Sequence, residues 1–282
     1  MNKMKAWIIA GRFFAAPWIA VNTLLGVKLA GFDLNAWILS FSIIFSLLLS
    51  SHYINAWRDY VKGIDSVKDG SSAKPYTSAS QVIPRGWLSV TEAKISAVVF
   101  LLIAVMLFIF YAPKKPDTIM LFALAVFIAV TYTDLFKPKG LGEIALFLGH
   151  GVSTTTLSYS ILTSVDITGI SAGVLMGLFA GLGYTIDQWQ DVETDFTKRI
   201  RNYAQIISQT SMSISTFYYF AITAVVTIHL AMVFIGFLPQ YTVKAVLLLP
   251  LFHFTGVMLE YRFEKGILLA LLGMWLYPLL MI

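Results

Sequence analysis

The sequence predicts an all-α polytopic membrane protein, a single domain of nine transmembrane helices over residues 1–282. Three observations predict it. Hydrophobic residues make up 58% of the chain and charged residues 12%, where a soluble domain carries about a quarter charged residues. The apolar runs are continuous and about 20 residues long, without the alternation of a membrane β-strand. The polar breaks alternate in charge: Lys3, Lys5, Arg58, Lys62, Lys137, Lys139 and Arg201 are among many basic residues on one side, against Lys28, Lys114, Lys115 and Lys244 on the other. The positive-inside rule makes the basic side cytoplasmic. The expected topology is a cell (plasma) membrane protein with its N-terminus in the cytoplasm and its C-terminus outside.

Each span follows from a hydropathic run and its breakers. The first covers Trp7–Ala30 and lacks a small-residue cleavage site, so it reads as a retained span. The second covers Asn35–Trp57, and a polar loop from Tyr60 to Gly86 follows. Spans three and four are Glu92–Tyr111 and Asp117–Thr133. The turn D-L-F-K-P-K-G leads into span five, Leu141–Thr163, and span six runs from Gly169 to Trp189. A second polar loop, Gln190–Asn202, precedes spans seven to nine: Ser208–Phe237, Tyr241–Glu260 and Gly266–Ile282. Gly169, Gly173, Gly177 and Gly181 recur at four-residue steps, a stripe that admits a neighbouring helix at close range.

The chain has no cysteine, which removes disulfides, thiolate metal sites and cysteine nucleophiles. Its net charge of +5 is modest. The basic residues read as topology signals or anion ligands, not as a nucleic-acid surface. His52, His150, His229 and His253 lack metal-ligand spacing and read as packing or interface residues.

The chemistry concentrates in two acidic clusters. Span six ends in Y-T-I-D-Q-W-Q-D-V-E-T-D, so Asp187, Asp191 and Asp195 stack at four-residue intervals. Span two ends in N-A-W-R-D-Y-V-K-G-I-D: Asn55 and Asp59 share a face, and Gly63 permits a turn that swings Asp65 back. Both spans finish on the expected cytoplasmic side, so the clusters can face each other across a cavity. Each cluster alone can be a solvated helix end. Together, acids this close need a cation, or one of them holds a proton. Hard carboxylate oxygens suit Mg²⁺, which also binds substrate phosphates. Lys74, Lys137 and Arg12 stand at this level as anion ligands; Arg12 can equally snorkel to the headgroups. The polar loops read either as a lid or as solvated connectors.

These motifs resemble those of the UbiA superfamily of membrane prenyltransferases. N-A-W-R-D-Y-V-K-G-I-D and D-Q-W-Q-D-V-E-T-D are similar to its two aspartate-rich motifs, and Y-T-D-L-F-K-P-K-G-L-G-E to its third landmark. The resemblance implies a nine-helix bundle around a central cavity open to the cytoplasmic side and laterally to lipid. It implies transfer of an isoprenyl group from a polyprenyl diphosphate, geranylgeranyl or longer, with Mg²⁺ as cofactor. Asn55, Asp59, Asp187 and Asp191 match metal and diphosphate ligands, and Asp65 and Asp195 the outer acids. Lys74, Tyr132 and Lys137 match residues near the diphosphate. Tyr184 lies at the same level, as a cation-stabilising ring or an interfacial anchor. Asp59, Asp191 and Lys137 are the expected catalytic residues. The five residues between Asp59 and Asp65 resemble the menaquinone-type branch, whose acceptor is a small aromatic quinone precursor. Other readings stay open: a glyceryl phosphate lipid or haem as acceptor, or an ion-coupled transporter using the same acids. The sequence assigns no oligomeric state and no base for the acceptor's proton, for which Asp65 and Asp195 are candidates.

Overall fold

A computed structural model describes residues 2–67, 79, 81–190, 192 and 201–282, and every regular element among them is helical. The chain opens with α1 (Lys3–Ala10) and α2 (Ala16–Leu29), bent from one another by 50°. The sequence reading has one uninterrupted span here. The break comes from Pro17, which lacks an N–H and whose ring would clash with the preceding helical turn. As the start of α2 the proline is favourable, because a first-turn N–H needs no partner. Between the two helices Arg12 takes left-handed dihedrals, φ 49° and ψ 49°.

α3 (Leu34–Val61) starts at Asp33, whose carboxylate accepts the Ala36 N–H at 2.7 Å. α4 (Val90–Tyr111) starts with a reciprocal Ser89–Glu92 capping box and packs along α3. α5 (Pro116–Thr131) runs on through a π-turn, Tyr132–Phe136, and a 3₁₀ turn, Lys137–Lys139. It stops at Gly140, φ 71°. The helical run therefore extends past the expected end at Thr133 and carries Lys137 on a turn.

The next segment is helical from Gly142 to Leu162: α6 (Gly142–Leu146), a π-helical stretch Phe147–Thr156, and α7 (Leu157–Leu162). Within that stretch the Thr154 hydroxyl donates to the Gly149 carbonyl, five residues back. α8 (Ile167–Trp189) is capped by Asp166 and lies at the centre of the core, where Leu175, Met176 and Phe179 are fully buried. After α9 (Tyr203–Ser208) come α10 (Ile214–Phe234), a 3₁₀ run Gln240–Leu248 leading into α11 (Leu249–Tyr261), and α12 (Phe263–Met281).

Among the described residues seven helices are long and apolar enough to cross a membrane, or eight with the bent pair counted as one span. The expected count of nine includes Leu141–Thr163, which is helical but too polar to join them. Glu143, His150 and the buried hydroxyls of Ser153, Thr154, Thr155, Thr156, Ser158 and Ser160 dilute its apolar character. Large apolar side chains such as Phe110, Met120, Phe220 and Phe234 point outward, as a lipid-facing surface requires.

The glycine stripe on α8 packs against that polar helical segment. A Cβ on Gly151 would fall 2.0 Å from the Gly177 Cα, and one on Gly173 would fall 2.1 Å from the Thr156 Oγ1. Backbone-to-backbone approach of this kind leaves no room for a methyl group. Gly181 differs: its nearest atom would be the Glu143 carbonyl oxygen at 3.8 Å. Gly151→Ala should thus force the helices apart at a cost of about 1–3 kcal/mol, lowering the thermal unfolding midpoint of purified protein. Gly181→Ala should leave that midpoint unchanged or raise it, because alanine is the better helix former.

Candidate functional site

The C-terminal ends of α3 and α8 and the Tyr132–Lys139 turn converge on one cavity of about 310 Å³. One wall is polar and carries Asn55, Asp59, Asp65, Tyr132, Lys137, Tyr184 and Asp187. The opposite depth is apolar, with Trp18, Ile19, Ile44, Leu47, Leu48 and Ile128. The two acidic clusters therefore share a single chamber, to the extent that their residues are described.

Asp59 is the hinge of the polar wall. It is 2% exposed. Its Oδ2 accepts the Asn55 amide at 2.9 Å, one helical turn away, and the Lys137 ammonium at 2.5 Å. Its Oδ1 is buried with no hydrogen-bond partner among the described residues. α3 ends just beyond it. Gly63 takes φ 72°, and the Asp59 carbonyl accepts the N–H groups of Ile64 at 2.9 Å and Asp65 at 3.2 Å. This left-handed glycine cap turns the chain back and brings Asp65 to the cavity wall.

From α8, Asp187 lines the same cavity and accepts the Gln190 amide at 2.8 Å. One turn earlier the Tyr184 hydroxyl meets the Tyr132 hydroxyl at 2.7 Å, closing the space between α8 and the π-turn. Gly142 backs the Tyr184 ring, where a Cβ would lie 2.8 Å from Cε1. Arg12 enters from the break between α1 and α2. Lys74, Asp191 and Asp195 lie outside the described residues.

Several residues of the site were not singled out in the sequence. Asp134 pairs with Arg58 and, at 2.6 Å, with Lys62. Those two basic residues read as topology charges, yet they lock the end of α3 to the turn that presents Lys137. Glu143 accepts the Tyr203 N–H at 3.0 Å and ties α6 to the residues that follow the second polar loop. His52 and His150, expected as packing residues, line the cavity instead. A signal for His52 was present: it precedes Asn55 by three residues and Asp59 by seven, so all three share one face of α3.

No three His, Cys, Asp or Glu side chains form a preassembled metal group among the described residues. The donor set nonetheless suits a hard cation. Asp59 offers an unpartnered buried oxygen, and Asp65 and Asp187 stand on the same cavity. A carboxylate rim with an ammonium group, above an apolar chamber, can bind an anionic headgroup through cations and exclude water from the tail attached to it.

The sequence profile of the UbiA prenyltransferase family matches residues 16–266. Curated protein sequences offer no match. Solved structures share the fold at low identity. A UbiA homolog from Archaeoglobus fulgidus bound to GPP and Mg²⁺ aligns with a TM-score of 0.69 and 14% identity, over 98% of this chain and 97% of that one. The apo form of a UbiA homolog from Aeropyrum pernix K1 aligns with a TM-score of 0.69 and 18% identity, over 100% of this chain and 96% of that one. A digeranylgeranylglyceryl phosphate synthase aligns with a TM-score of 0.63 and 16% identity, over 99% of both chains.

The Lys137–Asp59 pair makes a stability prediction independent of any ligand. Lys137→Ala leaves a buried carboxylate without its cation, which costs on the order of 3 kcal/mol and should lower the unfolding midpoint. Adding Asp59→Asn removes the stranded charge and should restore most of the loss in the same measurement.

Proposed function

Since the chain belongs to the UbiA prenyltransferase family, we propose that it transfers an isoprenyl group from a polyprenyl diphosphate to a small aromatic, quinone-precursor acceptor, with Mg²⁺. One observation carries the reading: Asp59 and Asp65 from α3, Asp187 from α8 and Lys137 line a single cavity whose far wall is apolar. The A. fulgidus homologs bound to GPP or DMAPP with Mg²⁺ support the donor and the metal. The five-residue spacing between Asp59 and Asp65 supports the aromatic acceptor.

In this reading Asn55, Asp59, Asp65, Asp187, Asp191 and Asp195 hold Mg²⁺. The cation, when bound, neutralises the diphosphate and the charge it gains as a leaving group. Lys137 sits against Asp59 and offers its ammonium to the phosphate oxygens, and Lys74 serves as a second phosphate ligand. The hydrogen-bonded Tyr132–Tyr184 pair holds both rings against the reacting end of the donor, where π-faces stabilise an allylic cation. The apolar wall of Trp18, Ile44 and Leu47 receives the isoprenyl chain and keeps water from that cation. Arg12 contacts substrate at the deep end.

The topology proposed with this function has nine crossings, counting the polar helical segment Gly142–Leu162 and the bent first pair. The N-terminus is cytoplasmic, and the cavity opens to the cytoplasm and sideways to lipid. A second reading keeps the donor and changes the acceptor to an isoprenylglyceryl phosphate; the fold shared with digeranylgeranylglyceryl phosphate synthase favours it.

Asp59→Ala and Asp191→Ala should each reduce turnover at least about a hundredfold in folded protein, and chelation of divalent cations should abolish it. The deciding assay supplies labelled geranylgeranyl diphosphate with dihydroxynaphthoate, 4-hydroxybenzoate, geranylgeranylglyceryl phosphate or haem. Label on an aromatic product supports the first reading. Label only on the glyceryl phosphate selects the second, and full turnover in either alanine variant defeats the site assignment.

A further inference from the structure

Outside the cavity, the ends of α3, α4 and α5 meet around one indole, that of Trp57. The Lys94 ammonium lies over its ring, 4.7 Å from the centroid, and the Arg58 guanidinium lies 5.2 Å from the same centroid. Lys94 belongs to the start of α4, and Arg58 Nη1 donates to the Val130 carbonyl of α5 at 3.2 Å. Trp57 is half-buried between those two helix ends, and Lys94 is exposed. α4 and α5 both pack on α3, but they meet each other mainly at their far ends, where Phe108 stacks on Phe122. Their outer faces are apolar: Val98 and Leu102 follow Lys94 by one and two turns on α4, and Phe127 stands exposed on α5.

This cluster carries more positive charge than its neighbours answer. Arg58 and Lys62 share one carboxylate, Asp134. Asp59, next to Arg58 in the chain, is engaged by Lys137. Lys94 forms no ion pair among the described residues. Arg58 makes both of its polar contacts through Nη1, so its Nε and Nη2 have no partner among the described residues. An aromatic face attracts either cation. The two cations nonetheless stand within about 10 Å of each other, the screening length at moderate salt, and repel. An anion between them turns that repulsion into two attractions. A lysine at a membrane surface ordinarily extends into water; here an indole holds it beside a guanidinium.

A phospholipid phosphate has the chemistry to answer this charge. It is a monoanion that suits a guanidinium fork and a lysine point charge. It arrives with acyl chains, for which the outward apolar side chains of α4 and α5 offer a surface. An indole at the headgroup level is the usual neighbour of such a group. We propose that Lys94, Arg58 and Trp57 form a headgroup site for one anionic phospholipid, its phosphate between the two cations and its chains on the outer faces of α4 and α5. A zwitterionic lipid brings its own cation to the same place and gains less there. The inference stands independently of the prenyl-transfer reading.

The test counts bound lipid and omits turnover. Purified wild-type protein, Lys94→Gln, Lys94→Arg, Arg58→Gln and Lys5→Gln are titrated with phosphatidylglycerol or with phosphatidylcholine of the same acyl chains, and bound lipids are counted by native mass spectrometry. The wild type should bind one phosphatidylglycerol at least about tenfold more tightly than phosphatidylcholine. Lys94→Gln and Arg58→Gln should each lose about fivefold of that preference. Lys94→Arg keeps the charge and should keep the preference. Lys5 is an exposed lysine of α1 that takes no part in the cluster, and Lys5→Gln should leave the preference intact. Millimolar inorganic phosphate should not displace the lipid, because the acyl chains add to its binding. Arg58 also ties α3 to α5, so where Arg58→Gln fails to fold, Lys94→Gln carries the comparison. Equal binding of the two lipids by the wild type overturns the proposal, as does an undiminished preference in Lys94→Gln. An equal loss in Lys5→Gln overturns it in favour of diffuse surface charge, and displacement by inorganic phosphate overturns the choice of a lipid as ligand.

Discussion

Charge inside an apolar bundle has to be answered by charge, and the Lys137–Asp59 pair is where this protein meets that constraint. The pair joins the end of α3 to the turn after α5. Arg58 and Lys62 converge on Asp134 and tie the same two elements again. Either tie alone would leave the turn free to pivot. Together they fix the direction in which Lys137 projects, and so which side of the cavity is cationic. Asp59 keeps one oxygen engaged and one unpartnered among the described residues, so the wall stays able to take a cation without first breaking the pair.

The opposite wall is held by packing instead of charge. α8 can present Tyr184 and Asp187 only because its glycines let the polar helical segment lie against its backbone. That segment is rich in hydroxyls, which bond along their own helix: Thr154 to Gly149, Ser158 to Thr154, Ser160 to Leu157. Those three hydroxyls are thus satisfied within the segment and the Thr156 hydroxyl donates to the Gly169 carbonyl of α8, whereas those of Ser153 and Thr155 are buried with no partner among the described residues. The π-helical register also places His150 on the cavity. One run of small and hydroxyl-bearing residues therefore serves helix packing and cavity lining at once.

The cavity is graded along its depth. Carboxylates and a lysine occupy the rim, a tyrosine pair the next level, and Arg12 with two histidines a deeper one, beside apolar side chains. A ligand with a charged head and an apolar tail meets complementary surroundings at each level. The left-handed break at Arg12 belongs to this grading. It lets a basic residue enter from a helix pair that would otherwise offer the chamber only apolar groups.

The sequence by itself determined the class, the order of the helical segments and both ends of the acidic pair. These features are written in local signals: runs of apolar residues, loop charge, and carboxylates repeating at four-residue steps. It also permitted the return of Asp65, because Gly63 stands two residues before it and can take the left-handed conformation that caps a helix. Tertiary structure alone decided which charges neutralise which, since Asp59 and Lys137, or Lys62 and Asp134, lie more than seventy residues apart in sequence. It decided that the first span is broken at Arg12 and that the expected fifth span runs partly in π-helical register. It also turned His52 and His150 from packing residues into cavity residues. The reason is common to all of these: hydropathy and spacing report what a residue's own helix does, whereas pairing and exposure depend on which neighbour the fold brings against it.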